Sequence, residues 1–228
     1  MAIHMLRELD RLKRRVLSLS ALVEESLRKA VVALEDRDAV LARRIIESDY
    51  EIDQMEVEVE EDCLKLLALY QPVAIDLRFI IATIKINSDL ERIGDLAVNI
   101  AERAEYLATH AAVDIPFDFA GMADKARAMV RRALDALVNM DARLARQVCA
   151  ADDEVDAMNR EMYDKVKDAM RKHPEWIDQL VHILSTSRHL ERVADHATNI
   201  SEDVIYMIEG EIVRHRTEDY KKQAGASS

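Results

Sequence analysis

The sequence predicts an all-α protein made of two tandem, sequence-related three-helix bundles, six long helices in total. Three observations carry this. Only 4 Gly and 3 Pro interrupt 228 residues, of which 50% are hydrophobic, too little punctuation for a sheet protein with many turns. Ala, Leu, Glu, Arg, Met and Lys, the better helix formers, are abundant. The second half of the chain also repeats the first, which divides the helices into two equivalent sets.

The elements follow from the breaks. A first helix is expected from about Leu6 to Glu35, ended by Asp36-Arg37-Asp38, with Asp38 as the N-cap of the next. A second helix runs from about Ala39 to Leu69, where Gln71-Pro72 stops it, and a third from about Val73 to Thr109. Asp114, Pro116 and Gly121 mark the clearest interruption in the chain. The pattern then restarts. A fourth helix spans about Met122 to Met140, Asp141 opens a fifth that ends near Lys172, and His173-Pro174 separates it from a sixth. The sixth reaches Glu209, with Gly210 in the position glycine favours after a helix. These limits give a first bundle over 1–110, a linker over 111–117, a second bundle over 118–212 and a polar tail over 213–228.

The duplication is visible residue by residue. DAVLARRIIESDYEIDQMEVE from Asp38 aligns with DARLARQVCAADDEVDAMNRE from Asp141, and DLERIGDLAVNIAE from Asp89 with HLERVADHATNISE from His189. In the latter pair Glu91, Asp95, Asn99 and Glu102 recur as Glu191, Asp195, Asn199 and Glu202. On a helix these offsets fall within ~80° of one another, so the oxygen-bearing side chains share one stripe. Leu90, Ile93, Ala97, Ile100 and Ala104 lie roughly opposite and form the core-facing arc. The preceding helices carry matching acids, Asp49, Asp53, Glu56 and Glu60 in the first half and Asp152 and Asp156 in the second. Asn159 and Tyr163 stand where the last two acids would be.

Most acidic helix faces are simply solvated. Three details point beyond that here. Like charges four residues apart cost a helix about 0.2–0.5 kcal/mol per pair. Asn adds a neutral oxygen where a merely soluble face would more often use Lys, Arg or Glu, and the arrangement occurs twice. Two adjacent helices with a carboxylate pair each could gather four carboxylates, whose repulsion a polyvalent cation would relieve. Carboxylate and carbonyl ligands suit Mg²⁺, Ca²⁺ or Mn²⁺, and clustered carboxylates also hold iron. The candidate metal ligands are Glu91, Asp95, Asn99, Glu191, Asp195, Asn199, Asp49, Asp53, Asp152 and Asp156. His196 follows Asp195 at a helical angle of ~100°, which favours a packing or solvent role. No Glu-x-x-His occurs, which disfavours di-iron oxygen chemistry.

Other classes find little support. A formal charge of −12 argues against a nucleic-acid surface. Cys63 and Cys149 are isolated, without the spacing of a thiolate metal site or a disulfide framework. The N-terminus MAIHMLRELDRLKRR lacks the apolar stretch of a signal peptide, and the longest strong apolar run, Phe79 to Ile84, spans nothing. A cytoplasmic location is expected. Arg92 and Arg192 recur and could bind phosphate or a partner carboxylate, though such residues more often pair with neighbouring acids, here Asp89 and Glu191 among many. His182 and His189 are expected to be structural or solvated. Trp176, after Pro174, is expected to anchor the start of the sixth helix. No nucleophile–base pair or glycine-rich phosphate loop can be assembled, so no enzymatic activity is expected.

With the duplicated bundles and stripes in view, the chain resembles the PhoU family of phosphate-specific transport system accessory proteins. The resemblance rests on DLERIGDLAVNIAE at Asp89 and HLERVADHATNISEDVIY at His189. LVEESLRKAVVAL at Leu22, YQPVAIDLRFIIATIKI at Tyr70 and GEIVRHR at Gly210 support it. It covers about residues 4 to 216. It implies two similar three-helix bundles with surface multinuclear metal sites built from repeated E(D)-x-x-x-D motifs. These map onto Glu91, Asp95 and Asn99, Glu191, Asp195 and Asn199, and the pairs Asp49/Asp53 and Asp152/Asp156. The bound species would be divalent or trivalent ions, with iron, zinc, manganese and magnesium all possible. Leu96 departs from the pattern, because members often carry His after the Asp, as His196 does; equal metal occupancy of the two halves is therefore not implied.

The implied function is negative regulation of the phosphate-starvation response, linking a phosphate ABC transporter to a membrane sensor histidine kinase. A homodimer without nucleic-acid or membrane-spanning functions is expected. The alternatives are a carboxylate–metal hydrolase acting on phosphate esters and a metal-free structural helical adaptor.

Overall fold

The structure, a computed structural model, describes residues 2–113 and 117–210. Part of the expected linker, 114–116, and the polar tail at 213–228 lie outside the described residues. The first half contains α1 (Ala2–Glu35), α2 (Ala39–Ser48), α3 (Tyr50–Tyr70) and α4 (Ala74–Ala108). The second contains α5 (Phe119–Asn139), α6 (Ala142–Lys172) and α7 (Ile177–Glu209), with a single 3₁₀ turn at Pro174–Trp176 before α7. There is no strand among the described residues. No helix among the described residues is long and apolar enough to cross a membrane.

The breaks repeat between halves as the sequence does. Arg37 and Met140 occupy equivalent positions and adopt left-handed φ of 53° and 54°. Behind each, an aspartate N–H closes back on the preceding helix, Asp38 to the Ala33 carbonyl and Asp141 to the Ala136 carbonyl, both at 2.9 Å. The same aspartates cap the next helix, Asp38 accepting from the Val40 and Leu41 amides and Asp141 from that of Leu144. Trp176 stacks on His173 with ring centroids 3.9 Å apart, securing the entry to α7 as expected.

One expected helix is divided. The stretch read as continuous from Ala39 to Leu69 breaks at Asp49, while its counterpart α6 runs unbroken through Asp152. Asp49 keeps helical angles, but its carbonyl accepts from the Ile52 amide at 2.9 Å as well as from Asp53 at 3.2 Å. That tightened turn is a local 3₁₀ step, and α2 and α3 continue past it.

In the first half α4 packs against α1, α2 and α3, and in the second α7 packs against α5 and α6. The halves join mainly through α4 against α7, with α1 also meeting α5. The expected arc Leu90, Ile93, Ala97, Ile100 and Ala104 is fully buried. The two long seam helices run antiparallel. As α4 proceeds from Arg78 to Tyr106, its cross-bundle partners on α7 retreat from Met207 to His182. Arg78 Nε donates to the Met207 carbonyl at 2.9 Å, Lys85 Nζ to Asp203 at 2.9 Å, His196 Nδ1 meets Asp89 at 2.8 Å, and Tyr106 stacks on His182 at 3.8 Å. Placing α4 and α7 at the seam leaves α3 and α6 on the flanks, each beside the acid-bearing face of its neighbour.

Candidate metal centre

Each acidic stripe meets a second one across a helix pair. In the first half Asp49 and Asp53 on α3 and its leading break face Glu91 and Asp95 on α4. The fields of these groups overlap. Burial first, then Asp53 and Asp95, raises the pKa of Asp49, and burial followed by Asp53 raises that of Asp95. Glu91 is raised by burial and then by Asp95, Asp53 and Glu56, while Arg92 pulls it down. Glu56, raised by burial, Glu60 and Asp53, thus belongs to the same patch.

The second half repeats the arrangement. Burial raises Asp152 to about 6, helped by Asp195, Asp156, Asp153 and Glu191. Burial and then Asp156 raise Asp195, and burial and Asp195 raise Glu191. Eight of the ten residues read from the sequence therefore lie in two cross-helix carboxylate patches.

The two asparagines do not join them by hydrogen bonding. Asn99 Nδ2 donates to the carbonyl of Asp95 at 2.8 Å, back onto its own helix. Asn199 lines a groove of about 370 Å³ at the α4–α7 seam with Lys85 and Arg92.

Buried polar bonds beside the patches hold each helix pair in register. Asn87 on α4 donates to both the carbonyl and the carboxylate of Glu56, at 2.8 and 3.0 Å. At the matched position of the second half Ser187 donates to Asn159. Asn159, where Glu56 stands in the first half, is thus one side of an exchanged pair. Asn87 and Ser187 were not singled out in the sequence, although each precedes its Glu91 or Glu191 by four residues, one helical turn.

Gly94 sets the closeness of the first pair. A Cβ there would meet Ile52 Cγ2 at 3.1 Å and lie 3.9 Å from Asp49 Oδ1. In the second half Ala194 and Val155, both buried, replace Gly94 and Ile52, so one methyl group has moved from α3 to α7.

The donor set suits a hard, oxygen-seeking cation in kind. Among the described residues, however, no group of three or more His, Cys, Asp or Glu side chains is gathered closely enough to hold an ion. Mutual repulsion of the carboxylates, the same interaction that raises their pKa values, favours such a spread arrangement. His196, the one nitrogen donor adjacent to a stripe, is buried and engaged with Asp89 of the other bundle. That packing role agrees with its helical angle, although the partner lies across the seam. Arg92 acts on Glu91, and Arg192 on Glu191 and Asp195, through space and without a hydrogen-bonded ion pair among the described residues. Cys63 and Cys149 are buried and free, and burial pushes both thiols up to about 12.

Comparison with known proteins agrees with this architecture. The PhoU domain matches twice, over residues 16–104 and 119–204. The chain is 39% identical over 209 residues to the phosphate-specific transport system accessory protein PhoU homolog of Pseudomonas putida, covering 91% of this chain and 82% of that protein. It is 38% identical over 210 residues to the homolog of Aquifex aeolicus (strain VF5), covering 92% and 95%. The crystal structure of PhoU from Pseudomonas aeruginosa superposes with a TM-score of 0.84 at 38% identity, covering 90% of this chain and 99% of that one. The phosphate transport system regulatory protein PhoU from Streptococcus pneumoniae gives 0.85 at 32% identity, covering 92% and 99%. Two domain matches spread over most of the length, with full-length relatives above 30% identity, place this chain in the PhoU family.

Proposed function

We propose that the protein is a cytoplasmic, homodimeric adaptor that represses the phosphate-starvation response by linking a phosphate ABC transporter to a sensor histidine kinase. The observation that carries this reading is the double PhoU domain match, with relatives named as accessory to phosphate-specific transport. An adaptor of this kind acts by preferring one state of its partner, and long rigid helical faces suit that task. The reading is non-enzymatic. Its physical support is a pair of open acidic helix faces rather than a nucleophile–base arrangement.

The metal component rests on the facing acid pairs. Asp49, Asp53, Glu91 and Asp95 would hold an ion in the first half, and Asp152, Asp156, Glu191 and Asp195 in the second. A bound cation would neutralise the carboxylates and tie the two helices of each patch together. The chain's own residues prepare this by keeping the helix pairs in register, through Asn87 to Glu56 and Ser187 to Asn159.

The test is deletion of the gene in its host with a phosphatase reporter in phosphate-replete medium. Constitutive expression, reversed by the wild-type chain, is expected; normal repression in the deletion strain overturns the regulatory reading. Elemental analysis of protein purified without added metal tests the second component. It should find metal that is lost from the Glu91→Ala/Asp95→Ala variant in proportion to the first patch. A phosphatase assay on the metal-loaded protein should show no turnover, and turnover that tracks metal content would favour the hydrolase.

A further inference from the structure

The pseudo-symmetry that relates α4 to α7 gives the seam two equivalent faces, and their charges differ. On one face the bases meet acids. Lys85 bonds Asp203 at 2.9 Å, with relative side-chain exposures of 37% and 6%, and His196 bonds Asp89 at 2.8 Å. On the other face the repeat brings Ser185 to the place of Lys85 and Arg103 to that of Asp203. His189 replaces Asp89, Leu96 replaces His196, and Arg188 stands where the first face has Ser88. Arg192 matches Arg92. Each acid that serves the first face has become a base, and the one added hydroxyl, that of Ser185, meets His189 Nε2 at 3.1 Å.

The register is fixed by contacts. Tyr106, one turn beyond Arg103, stacks on His182, one turn before Ser185 and two before His189. Seven-residue spacing along α7 carries the cross-bundle face from His182 through His189 to His196 and Asp203, so His189 lies on the same seam. Arg103, Arg188 and Arg192 all act on His189 through space, adding to the burial that keeps its imidazole neutral.

Several nitrogens here are unpartnered. Arg103 Nε, His182 Nδ1 and His189 Nδ1 are buried without a hydrogen-bond partner, whereas Lys85 Nζ and His196 Nδ1 on the opposite face are paired. Arg103 meets Glu102 at 3.2 Å through a terminal nitrogen. Arg188 and Arg192 feel Glu191 and Asp195 through space but hydrogen-bond to neither. Unpaired buried polar groups are costly, and planar guanidinium forks match an acceptor that carries several oxygens.

We propose that this face, bounded by Arg103, Arg188, Arg192 and His189, is a binding site for a tetrahedral oxyanion of the phosphate or sulfate class. Arg188 and Arg192 border the second carboxylate patch through the fields of Glu191 and Asp195, so the anion site is tested without metal, and it does not rest on the regulatory reading.

The experiment titrates the full-length chain with sodium phosphate at constant ionic strength, with EDTA present so that no anion is held through a metal. Arginine Nε resonances report the site, and sodium chloride is the control. Saturable shifts at Arg103, Arg188 and Arg192 are expected, absent with chloride. Arg188→Gln/Arg192→Gln should weaken binding at least about tenfold. The mirror variant Lys85→Gln/Arg92→Gln should bind as wild type, with far-UV circular dichroism confirming that both fold. Sulfate and O-phosphoserine are tested in the same way. Binding of inorganic phosphate alone identifies the free ion as ligand, and binding of O-phosphoserine as well extends the site to phosphoryl groups on partners. No saturable response, an undiminished response in the double arginine variant, or binding of a poly-glutamate peptide but not of phosphate overturns the site.

Discussion

Asp152 shows at one residue what an acidic patch costs in stability. Its carboxyl is raised from 3.8 to about 6 by burial and by the carboxylates of Asp195, Asp156, Asp153 and Glu191. One of its oxygens is also buried without a partner. Between about pH 4 and pH 6 the folded chain binds this proton more tightly than the unfolded chain does, so stability falls as pH rises through that window. In metal-free protein Asp152→Asn should therefore raise stability by about 1 kcal/mol at neutral pH, allowing for solvent screening, and should change it little near pH 4. Urea denaturation at the two pH values checks this. The same variant should weaken metal uptake by the second half, since the repulsion it removes is what a cation would relieve. A loss of stability at both pH values would show that Asp152 is held by contacts rather than strained by charge.

At the scale of elements, the paired substitution around Gly94 carries a quantitative expectation. Ile52 fills the space that a Cβ on residue 94 would take, at 3.1 Å, whereas Val155 leaves room for Ala194 in the second half. Gly94→Ala gains about 1 kcal/mol of helix propensity but overpacks against Ile52, a penalty of about 1–3 kcal/mol, so alone it should be neutral or destabilising. Gly94→Ala/Ile52→Val reproduces the second-half pair and should exceed the single variant by about 1 kcal/mol, a coupling that a double-mutant cycle measures directly. Additive effects would show that α3 yields freely at its leading break.

The helices themselves were legible in the sequence because so few residues interrupt them, and the starts at Asp38 and Asp141 were legible because an aspartate stands directly before each restarted helical pattern. The stripes were legible from their four-residue period. The break at Asp49 was not, since Asp152 occupies the same sequence position inside an intact helix. Nor did local pattern reveal the Asp89–His196 pair, whose members are 107 residues apart and meet only because two bundles dock at one register.

Docking makes the two bundles one thermodynamic object. α4 and α7 each bury side chains both toward their own bundle and across the seam, with Asp89 and His196 enclosed at 8% and 7% relative exposure. Beyond the seam, α5 reaches α1 through Arg131 and Glu24 at 2.8 Å. Separating the halves would uncover these groups along the length of both helices, so partial unfolding of one bundle exposes the face of the other. The chain should therefore unfold in a single step, although it contains two repeats. Trp176, the only tryptophan, lies in the second half and reports that half alone, while far-UV circular dichroism reports both. Their urea transitions should coincide. Asp89→Ala, a change in the first half, leaves His196 Nδ1 buried and unpaired in the second, at a cost of about 1–3 kcal/mol. If the bundles are coupled, that variant shifts the tryptophan and circular dichroism midpoints together. Two resolved transitions in wild type, with the tryptophan midpoint unmoved by Asp89→Ala, would mean that the seam joins two independently stable domains.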